Sequence, residues 1–383
     1  MKKIALIGST GSIGRQTIEV VKEHPEEFEI VAMAAGSSWE RFQSQLWQIK
    51  PRYAALADSS AAEKITSLPA ETHFCGGEEA ALAVASFEQA DIVLVAAGGF
   101  AGLKYSLAAI NAGKALALAN KETLVCGGDM VMPLAKKQGT PILPVDSEHS
   151  AIWQCLGCDL NTPFSRLIIT ASGGAFRSLD AAQLENVTPQ MALKHPTWNM
   201  GAKITIDSAT LLNKGFEVIE AHHLYSADYG KITAVLHPQS IVHSMVEFAD
   251  GATIAQLSYP TMKLPIQLAL SYPDRLPLFG TALDFDKIFS LDFAPLEREK
   301  FPCFDIAVNC GREGGTLPCA MNAAGEVAVR AFLKERIKFT HIARVIEQVI
   351  ASQTRERVES YAQLEEVDRR ARFSAEKCVS ALS

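Results

Sequence analysis

The chain has 383 residues, of which 48% are hydrophobic and 21% are charged, and its formal net charge is −7. This composition is typical of a folded protein and argues against a disordered chain. The acidic balance gives no support to a nucleic-acid-binding surface or an anionic-membrane surface. The length favours two or three domains over a single core.

The N-terminal residues do not resemble an export signal. Lys2 and Lys3 precede an apolar run, but the run stops at Gly8 and no small-residue cleavage pattern follows. The apolar stretch 92–119 is interrupted by Lys104 and Lys114, so it is not a membrane span. We therefore expect a cytoplasmic protein whose eight scattered cysteines are reduced.

Strands and helices alternate through the first part of the chain. Apolar runs predict buried parallel strands at 3–8, 28–35, 91–97, 115–119 and 141–145. Helical spacing of apolar residues follows the first of these runs, and a further helix is predicted at 103–112. This alternation indicates an α/β fold with a doubly wound parallel sheet in the N-terminal part.

The pattern changes after Val145. Strands are predicted at 166–170, 232–236, 241–248 and 253–257, and Asp250-Gly251 between two β-rich runs is a hairpin signal. These features predict a central α/β domain with a mixed sheet. Residues 272–302 have no sustained period and are interpreted as a linker, and the remainder is predicted to be helical.

A glycine-rich segment follows the first predicted strand and reads Gly8-Ser9-Thr10-Gly11-Ser12-Ile13-Gly14. A dinucleotide pyrophosphate needs backbone N–H groups at close range and a helix N-terminus directed at it, and glycines permit both. The segment lies between a strand and a helix, as such a motif requires. The alternative is a glycine turn that binds nothing.

The end of the second predicted strand bears on the choice of cofactor. NAD enzymes usually place an acid there for the ribose hydroxyls, whereas this chain has Gly36, Ser37 and Ser38, with no acid before Glu40. The missing carboxylate avoids repulsion of a 2′-phosphate. NADP is therefore favoured. No Arg or Lys directly adjoins Ser37 and Ser38, and the cation nearest to them in the sequence is Arg41.

Two carboxylates, Asp146 and Glu148, stand two residues apart after the last strand of the first part. In extended backbone they would face the same way and would repel each other unless a cation joined them. Oxygen ligands suit Mg²⁺ or Mn²⁺. Taken alone, such a pair is more often a helix cap or a solvated edge.

Further polar residues follow in the central part. Ser172 lies in a glycine-rich segment, and His195 and Trp198 lie in a loop. Donors suited to a phosphate recur at Ser172, Ser208, Asn213 and Lys214, and a third carboxylate, Glu217, follows them closely.

Taken together and in order, these motifs resemble the 1-deoxy-D-xylulose 5-phosphate reductoisomerase family. The resemblance rests on the glycine segment 8–14, Asn-Lys-Glu at 120–122, Val-Asp-Ser-Glu-His at 145–149, Asn-Lys-Gly-x-Glu at 213–217 and the helical segment 317–326. The chain departs from the family pattern at Ser37 and Ser38, where Lys-Asn is frequent, and at Gly325, where Asn is frequent.

The resemblance implies a role for each matching residue. Asp146, Glu148 and Glu217 would bind Mn²⁺ or Mg²⁺. Lys121 and Ser147 would contact substrate hydroxyls, and the phosphate would be held by Ser172, Ser208, Asn213 and Lys214, with His195 nearby. Trp198 and Met200 would form a flap over the site. Contacts to NADPH would come from Thr10, Gly11, Ser12, Ile13, Gly36, Ser37, Ser38, Asn120, Glu122 and Gly201.

The resemblance also implies a domain plan and a reaction. It places an NADPH-binding Rossmann-like domain at 1–145, a catalytic domain at 146–285 with its flap at 194–201, a linker at 286–305 and a helical bundle at 306–383. It implies a homodimer that rearranges and reduces 1-deoxy-D-xylulose 5-phosphate in non-mevalonate isoprenoid synthesis, without nucleic-acid or membrane partners. The alternative is a metal-dependent phosphosugar isomerase or lyase without net redox.

Overall fold

A computed structural model of the chain describes residues 1–198, 200–278, 282–287 and 290–382. The strands in chain order are β1 Lys2–Ile7, β2 Phe28–Ala35, β3 Tyr53–Leu56, β4 His73–Gly76, β5 Ile92–Val95, β6 Ala115–Leu118, β7 Ile142–Pro144, β8 Arg166–Ala171, β9 Ile232–Leu236, β10 Val242–Glu247, β11 Thr253–Leu257 and β12 Ala294–Pro295. The helices are α1 Ser12–Glu23, α2 Trp39–Ile49, α3 Ser59–Ala62, α4 Glu78–Ala85, α5 Gly102–Asn111, α6 Lys121–Gln138, α7 Ser147–Cys155, α8 Ala181–Leu184, α9 Pro189–Ala192, α10 Ala202–Ala209, α11 Leu212–Tyr225, α12 Lys263–Ser271, α13 Cys303–Glu313, α14 Leu317–Leu333, α15 His341–Ala351 and α16 Tyr361–Leu382.

These elements form two compact units. The first comprises Met1–Thr123, Val131–Ser150 and Thr261–Leu278; the second comprises Leu124–Met130, Ala151–Pro260 and the described part of 279–383. The domain limits expected from the resemblance are finer than this division and stay a prediction.

The first unit is built on a parallel sheet of seven strands in the order β4-β3-β2-β1-β5-β6-β7. Its central strands are buried on both faces, with Ile4, Leu6 and Leu94 fully inaccessible, which is why their sequences read as continuous apolar runs. The strand order reverses between β1 and β5. Parallel sheets of this kind bind ligands outside the carboxyl ends of the strands at such a point. The predicted doubly wound parallel sheet is confirmed.

Helix α12 belongs to this first unit, far along the chain from the sheet's other elements. It packs against α1, and Lys263 Nζ lies 2.9 Å from carboxylate oxygens of both Glu19 and Glu23. Gln267 extends the contact through a hydrogen bond of 3.0 Å with His24. The chain thus returns to the first unit at 261–278. Nothing in the local sequence of this segment marks it as part of the first unit and not of the second.

The second unit contains a mixed sheet in the order β11-β10-β8-β9-β12, in which β8 and β9 are parallel and the other pairs are antiparallel. The predicted hairpin joins β10 and β11, and Gly251 takes the positive φ of +85° that its turn requires. The C-terminal part is helical, with α14 packed against both α15 and α16. The predicted mixed sheet and helical C-terminal region are confirmed. No helix in the described ranges combines the length and the apolar character needed to cross a membrane.

Candidate active site

The glycine segment forms a tight turn between β1 and α1. A Cβ on Gly8, whose φ is +85°, would lie 2.6 Å from the backbone of Ala96, and one on Gly14 would lie 2.3 Å from the Gly8 carbonyl oxygen. Gly11 caps α1 with extended backbone and no side chain. Because both approaches require glycine, the N-terminus of α1 is held directly against the carboxyl end of β1.

The end of β2 presents exposed polar groups beside this turn. Gly36, Ser37 and Ser38 are exposed, and a Cβ on Gly36 would meet no atom within 4 Å. Arg41, on α2, donates from Nη1 to the Thr10 carbonyl oxygen at 3.1 Å. This contact connects α2 to the glycine turn and gives the segment the cation that the sequence at 37–38 lacks.

Asn120 and Glu122 have a structural function at the start of α6. The Asn120 Oδ1 accepts a hydrogen bond of 2.9 Å from the Thr123 N–H, and its Nδ2 donates to Glu122 Oε2 at 2.7 Å. Asn120 is thus the N-cap of α6. Contact of either residue with a cofactor stays a prediction.

The acidic segment 146–149 is not extended, and the expectation that Asp146 and Glu148 face the same way from extended backbone was wrong. Strand β7 ends at Pro144, and Glu148 lies in the first turn of α7. The Glu148 N–H donates to Asp146 Oδ1 at 3.2 Å. Asp146 therefore acts as a helix cap, as carboxylates at this position commonly do.

Asp146 also has two basic neighbours in the first unit. Its Oδ2 accepts from the Lys121 ammonium, and its Oδ1 lies 2.9 Å from Nδ1 of His149, which is fully buried. Ser147 Oγ donates to Glu148 Oε2 at 2.5 Å. His149 was not among the predicted site residues, although it ends the motif 145–149 that supports the resemblance.

A glycine-rich loop follows β8 in the second unit and carries Ser172. Gly173 and Gly174 have positive φ values of +84° and +67°, and a Cβ on Gly174 would lie 2.7 Å from the Ser208 carbonyl oxygen. The two glycines let the loop approach the end of α10 closely. Ser172 and Ser208 consequently both reach His195, whose Nε2 lies 3.1 Å from the Ser172 Oγ and 3.2 Å from the Ser208 Oγ.

The protonation state of His195 follows from its contacts. Its Nδ1 accepts from the backbone N–H groups of Thr197 at 3.2 Å and Trp198 at 2.9 Å. Burial, together with the positive charge of Arg177, lowers the pKa of His195 to about 4. At neutral pH the imidazole is therefore uncharged, with its proton on Nε2, where it donates toward the serine hydroxyls.

A second polar group lies on α11. Lys214 and Glu217 are one helical turn apart and form an ion pair, although they are only 4% and 1% exposed. Asn213 Nδ2 donates to Glu217 Oε1 at 2.6 Å. Just before it on α10, Lys203 pairs with buried Asp207 at 3.0 Å. The structure thus places Asn213, Lys214 and Glu217 next to one another on α11.

The predicted flap is described only in part, because Asn199 lies outside the described residues. Trp198 is half-buried and its ring is edge-on to His243, with 6.1 Å between ring centroids. Met200 is half-buried, and Gly201 is the exposed N-cap of α10. His243, on β10, was left out of the predicted site, and its contact with Trp198 could not be read from sequence.

Comparison with known proteins agrees with these features. The family model for 1-deoxy-D-xylulose 5-phosphate reductoisomerase matches residues 4–128, and the models for its C-terminal domains match 142–225 and 257–374. The chain is 47% identical to the 1-deoxy-D-xylulose 5-phosphate reductoisomerase of Pelotomaculum thermopropionicum, with both chains fully covered. It is 47% identical to that of Microcystis aeruginosa over 91% of this chain and 90% of the other.

Solved structures show the same similarity. A DOX-P reductoisomerase in complex with NADPH, fosmidomycin and magnesium is 37% identical, covers 100% of this chain and 99% of its own, and superposes with a TM-score of 0.94. The Zymomonas mobilis enzyme in complex with NADPH is 37% identical over 100% of both chains, with a TM-score of 0.93. The identity over the full length, together with the agreement in fold, shows that the chain belongs to the 1-deoxy-D-xylulose 5-phosphate reductoisomerase family.

Proposed function

We propose that this chain carries out the NADPH-dependent rearrangement and reduction of 1-deoxy-D-xylulose 5-phosphate to 2-C-methyl-D-erythritol 4-phosphate, in the synthesis of isoprenoid precursors. The observation that carries the proposal is the 47% identity to a reductoisomerase over the whole of both chains. The polar groups at 120–122, 145–149, 172, 195 and 213–217 provide the donors and carboxylates that such a reaction requires.

The first unit fits a dinucleotide. The lack of a side chain at Gly14 lets α1 start directly against the Gly8 carbonyl, and the helix N-terminus there offers backbone N–H groups suited to a pyrophosphate. We assign the pyrophosphate to Thr10, Gly11, Ser12 and Ile13, and the 2′-phosphate to Gly36, Ser37 and Ser38. The guanidinium of Arg41 lies beside Thr10 and strengthens the preference for NADP.

The donor chemistry of the three carboxylates fits Mg²⁺ or Mn²⁺, which prefer oxygen ligands. We assign the ion to Asp146, Glu148 and Glu217. Without it, Asp146 is neutralised by Lys121 and Glu217 by Lys214, so each buried carboxylate keeps a cationic partner. When bound, the ion supplies Lewis-acid catalysis to two neighbouring substrate oxygens, and NADPH supplies the reducing equivalents.

The chain's own residues position the substrate. Ser172, Ser208, Asn213 and Lys214 hold the phosphate, and neutral His195 keeps both serine hydroxyls in place through Nε2. Lys121 and Ser147 contact substrate hydroxyls. Trp198 and Met200 cover the substrate and exclude water, and Gly201 approaches the cofactor.

A homodimer, a cytoplasmic location and the use of manganese as an alternative to magnesium are also proposed, on the strength of the family resemblance.

The metal assignment is tested with the variant Glu217→Gln. Calorimetric titration of Mn²⁺ should show much weaker binding than in the parent, while NADPH binding is unchanged, because the substitution removes a ligand charge and leaves the first unit intact. Turnover should fall strongly and recover in part at excess Mn²⁺. A variant that binds Mn²⁺ as tightly as the parent and turns over normally would show that Glu217 is not a ligand.

A further inference from the structure

Arg177 is a half-buried arginine in the loop that carries Ser172. Its Nη1 donates to the Ser172 carbonyl oxygen at 3.0 Å. The Arg177 carbonyl oxygen in turn accepts a hydrogen bond of 2.9 Å from Nζ of Lys300. The arginine is thus fixed at its backbone and at its guanidinium, and it spans the loop from one side of the glycine pair to the other.

Arg177 forms no ion pair with a carboxylate among residues 1–198, 200–278, 282–287 and 290–382. A guanidinium is a permanent cation, so the half-buried Arg177 side chain keeps its charge without such a partner. This charge acts on His195, since it contributes to keeping that imidazole neutral.

The other residues assigned to the phosphate offer less free positive charge. Lys214 is paired with Glu217 when no ion is bound, and His195 is uncharged. A substrate phosphate carries between one and two negative charges near neutral pH. Neutral hydroxyl and imidazole donors can orient it, but they cannot balance its charge.

We propose that Arg177 is a specificity-determining residue for the substrate phosphate: it holds the backbone of Ser172 in position and supplies the uncompensated positive charge of that site. The proposal rests on the placement of the phosphate at Ser172, Ser208, Asn213 and Lys214. Through the charge of Arg177, the enzyme would bind a phosphorylated substrate in preference to a neutral sugar of the same shape.

The test uses the full-length enzyme with Arg177→Gln, which removes the charge, and Arg177→Lys, which keeps it. The matched control is Arg166→Gln, because Arg166 is an exposed arginine at the start of β8, the strand that precedes the Arg177 loop, and it pairs there with Glu247. Two quantities are measured for each variant: KM and kcat with 1-deoxy-D-xylulose 5-phosphate, and inhibition by the phosphate-free sugar 1-deoxy-D-xylulose.

Arg177→Gln should raise KM for the phosphorylated substrate roughly tenfold, the effect of one unit charge several ångströms away in a partly screened site. The kcat should change much less, and inhibition by the neutral sugar should be unchanged. Arg177→Lys should recover most of the loss, and Arg166→Gln should behave as the parent. A purely structural role would weaken both ligands together and would not be rescued by lysine.

The proposal is overturned if Arg177→Gln leaves KM unchanged, if both ligands are weakened equally, or if lysine gives no rescue. Ser172→Ala separates this failure from a failure of the proposed phosphate site. If Ser172→Ala raises KM and Arg177→Gln does not, the role of Arg177 alone is wrong. If Ser172→Ala also has no effect on KM, the phosphate is bound elsewhere and both assignments fall.

Discussion

Replacing Gly14 with alanine should separate the glycine turn from the helix that follows it. The added Cβ would lie 2.3 Å from the Gly8 carbonyl oxygen and 2.6 Å from the Ser9 Cα. Since an ordinary contact is at least 3.4 Å, the first turn of α1 must move away by about 1 Å. The φ of Gly14 is not in the left-handed region, so the whole effect comes from lost space. Overpacking of this kind costs about 1–3 kcal/mol.

The consequence is a loss of cofactor affinity, because the backbone N–H groups of α1 would no longer be aligned with the pyrophosphate. Fluorescence titration should give an NADPH Kd at least tenfold higher than in the parent, and urea unfolding should show a lower free energy of unfolding. Gly230→Ala is the matched control, since a Cβ there would meet no atom within 4 Å and its φ is ordinary. If Gly14→Ala binds NADPH as tightly as Gly230→Ala does, the glycine turn is not the pyrophosphate site.

Four further outcomes follow from the proposed roles of individual residues. Lys214→Ala should lower kcat/KM for the phosphorylated substrate by about one to two decades and leave NADPH binding unchanged; a defect confined to cofactor binding would contradict this. The absence of an acid at Ser37 and Ser38 should give a higher kcat/KM with NADPH than with NADH; equal values would refute it. Amide exchange in 194–198 and 200–201 should slow when a substrate analogue binds; equal rates would argue against a flap. The free energy of unfolding should fall as the pH is lowered from 6.5 to about 4, because His195 is protonated in the unfolded chain but stays neutral in the folded one over this range. His195→Gln should reduce this dependence on pH.

Local features of both units could be predicted from the sequence. A strand, a glycine turn and a helix follow one another within residues 2–23, so their spacing alone predicts the arrangement. The hairpin at Asp250-Gly251 was predicted for the same reason, because a short segment, 248–252, joins its two strands. The ion pair of Lys214 and Glu217 is likewise local, because the two residues are three positions apart on α11.

Features that depend on distant or competing contacts could not be predicted. The Asp146 carboxylate accepts the Glu148 N–H, so a helix starts where the sequence indicated extended backbone. The return of α12 to the first unit depends on contacts far apart in sequence, including the burial of Ile266 and Leu270 in the core of that unit and the pairing of Lys263 with Glu23, 240 positions earlier. The significance of Arg177 lies in the absence of a carboxylate partner among the described residues, and no local pattern encodes that absence.

The central claim is that rearrangement and reduction occur together on this chain with a divalent ion. The most direct measurement follows NADPH oxidation and product formation with 1-deoxy-D-xylulose 5-phosphate, with and without Mn²⁺ or Mg²⁺. We expect one NADPH to be consumed for each 2-C-methyl-D-erythritol 4-phosphate formed, and no consumption when either the substrate or the ion is left out. Conversion of the substrate without NADPH oxidation would contradict the claim and would identify an isomerase or lyase instead.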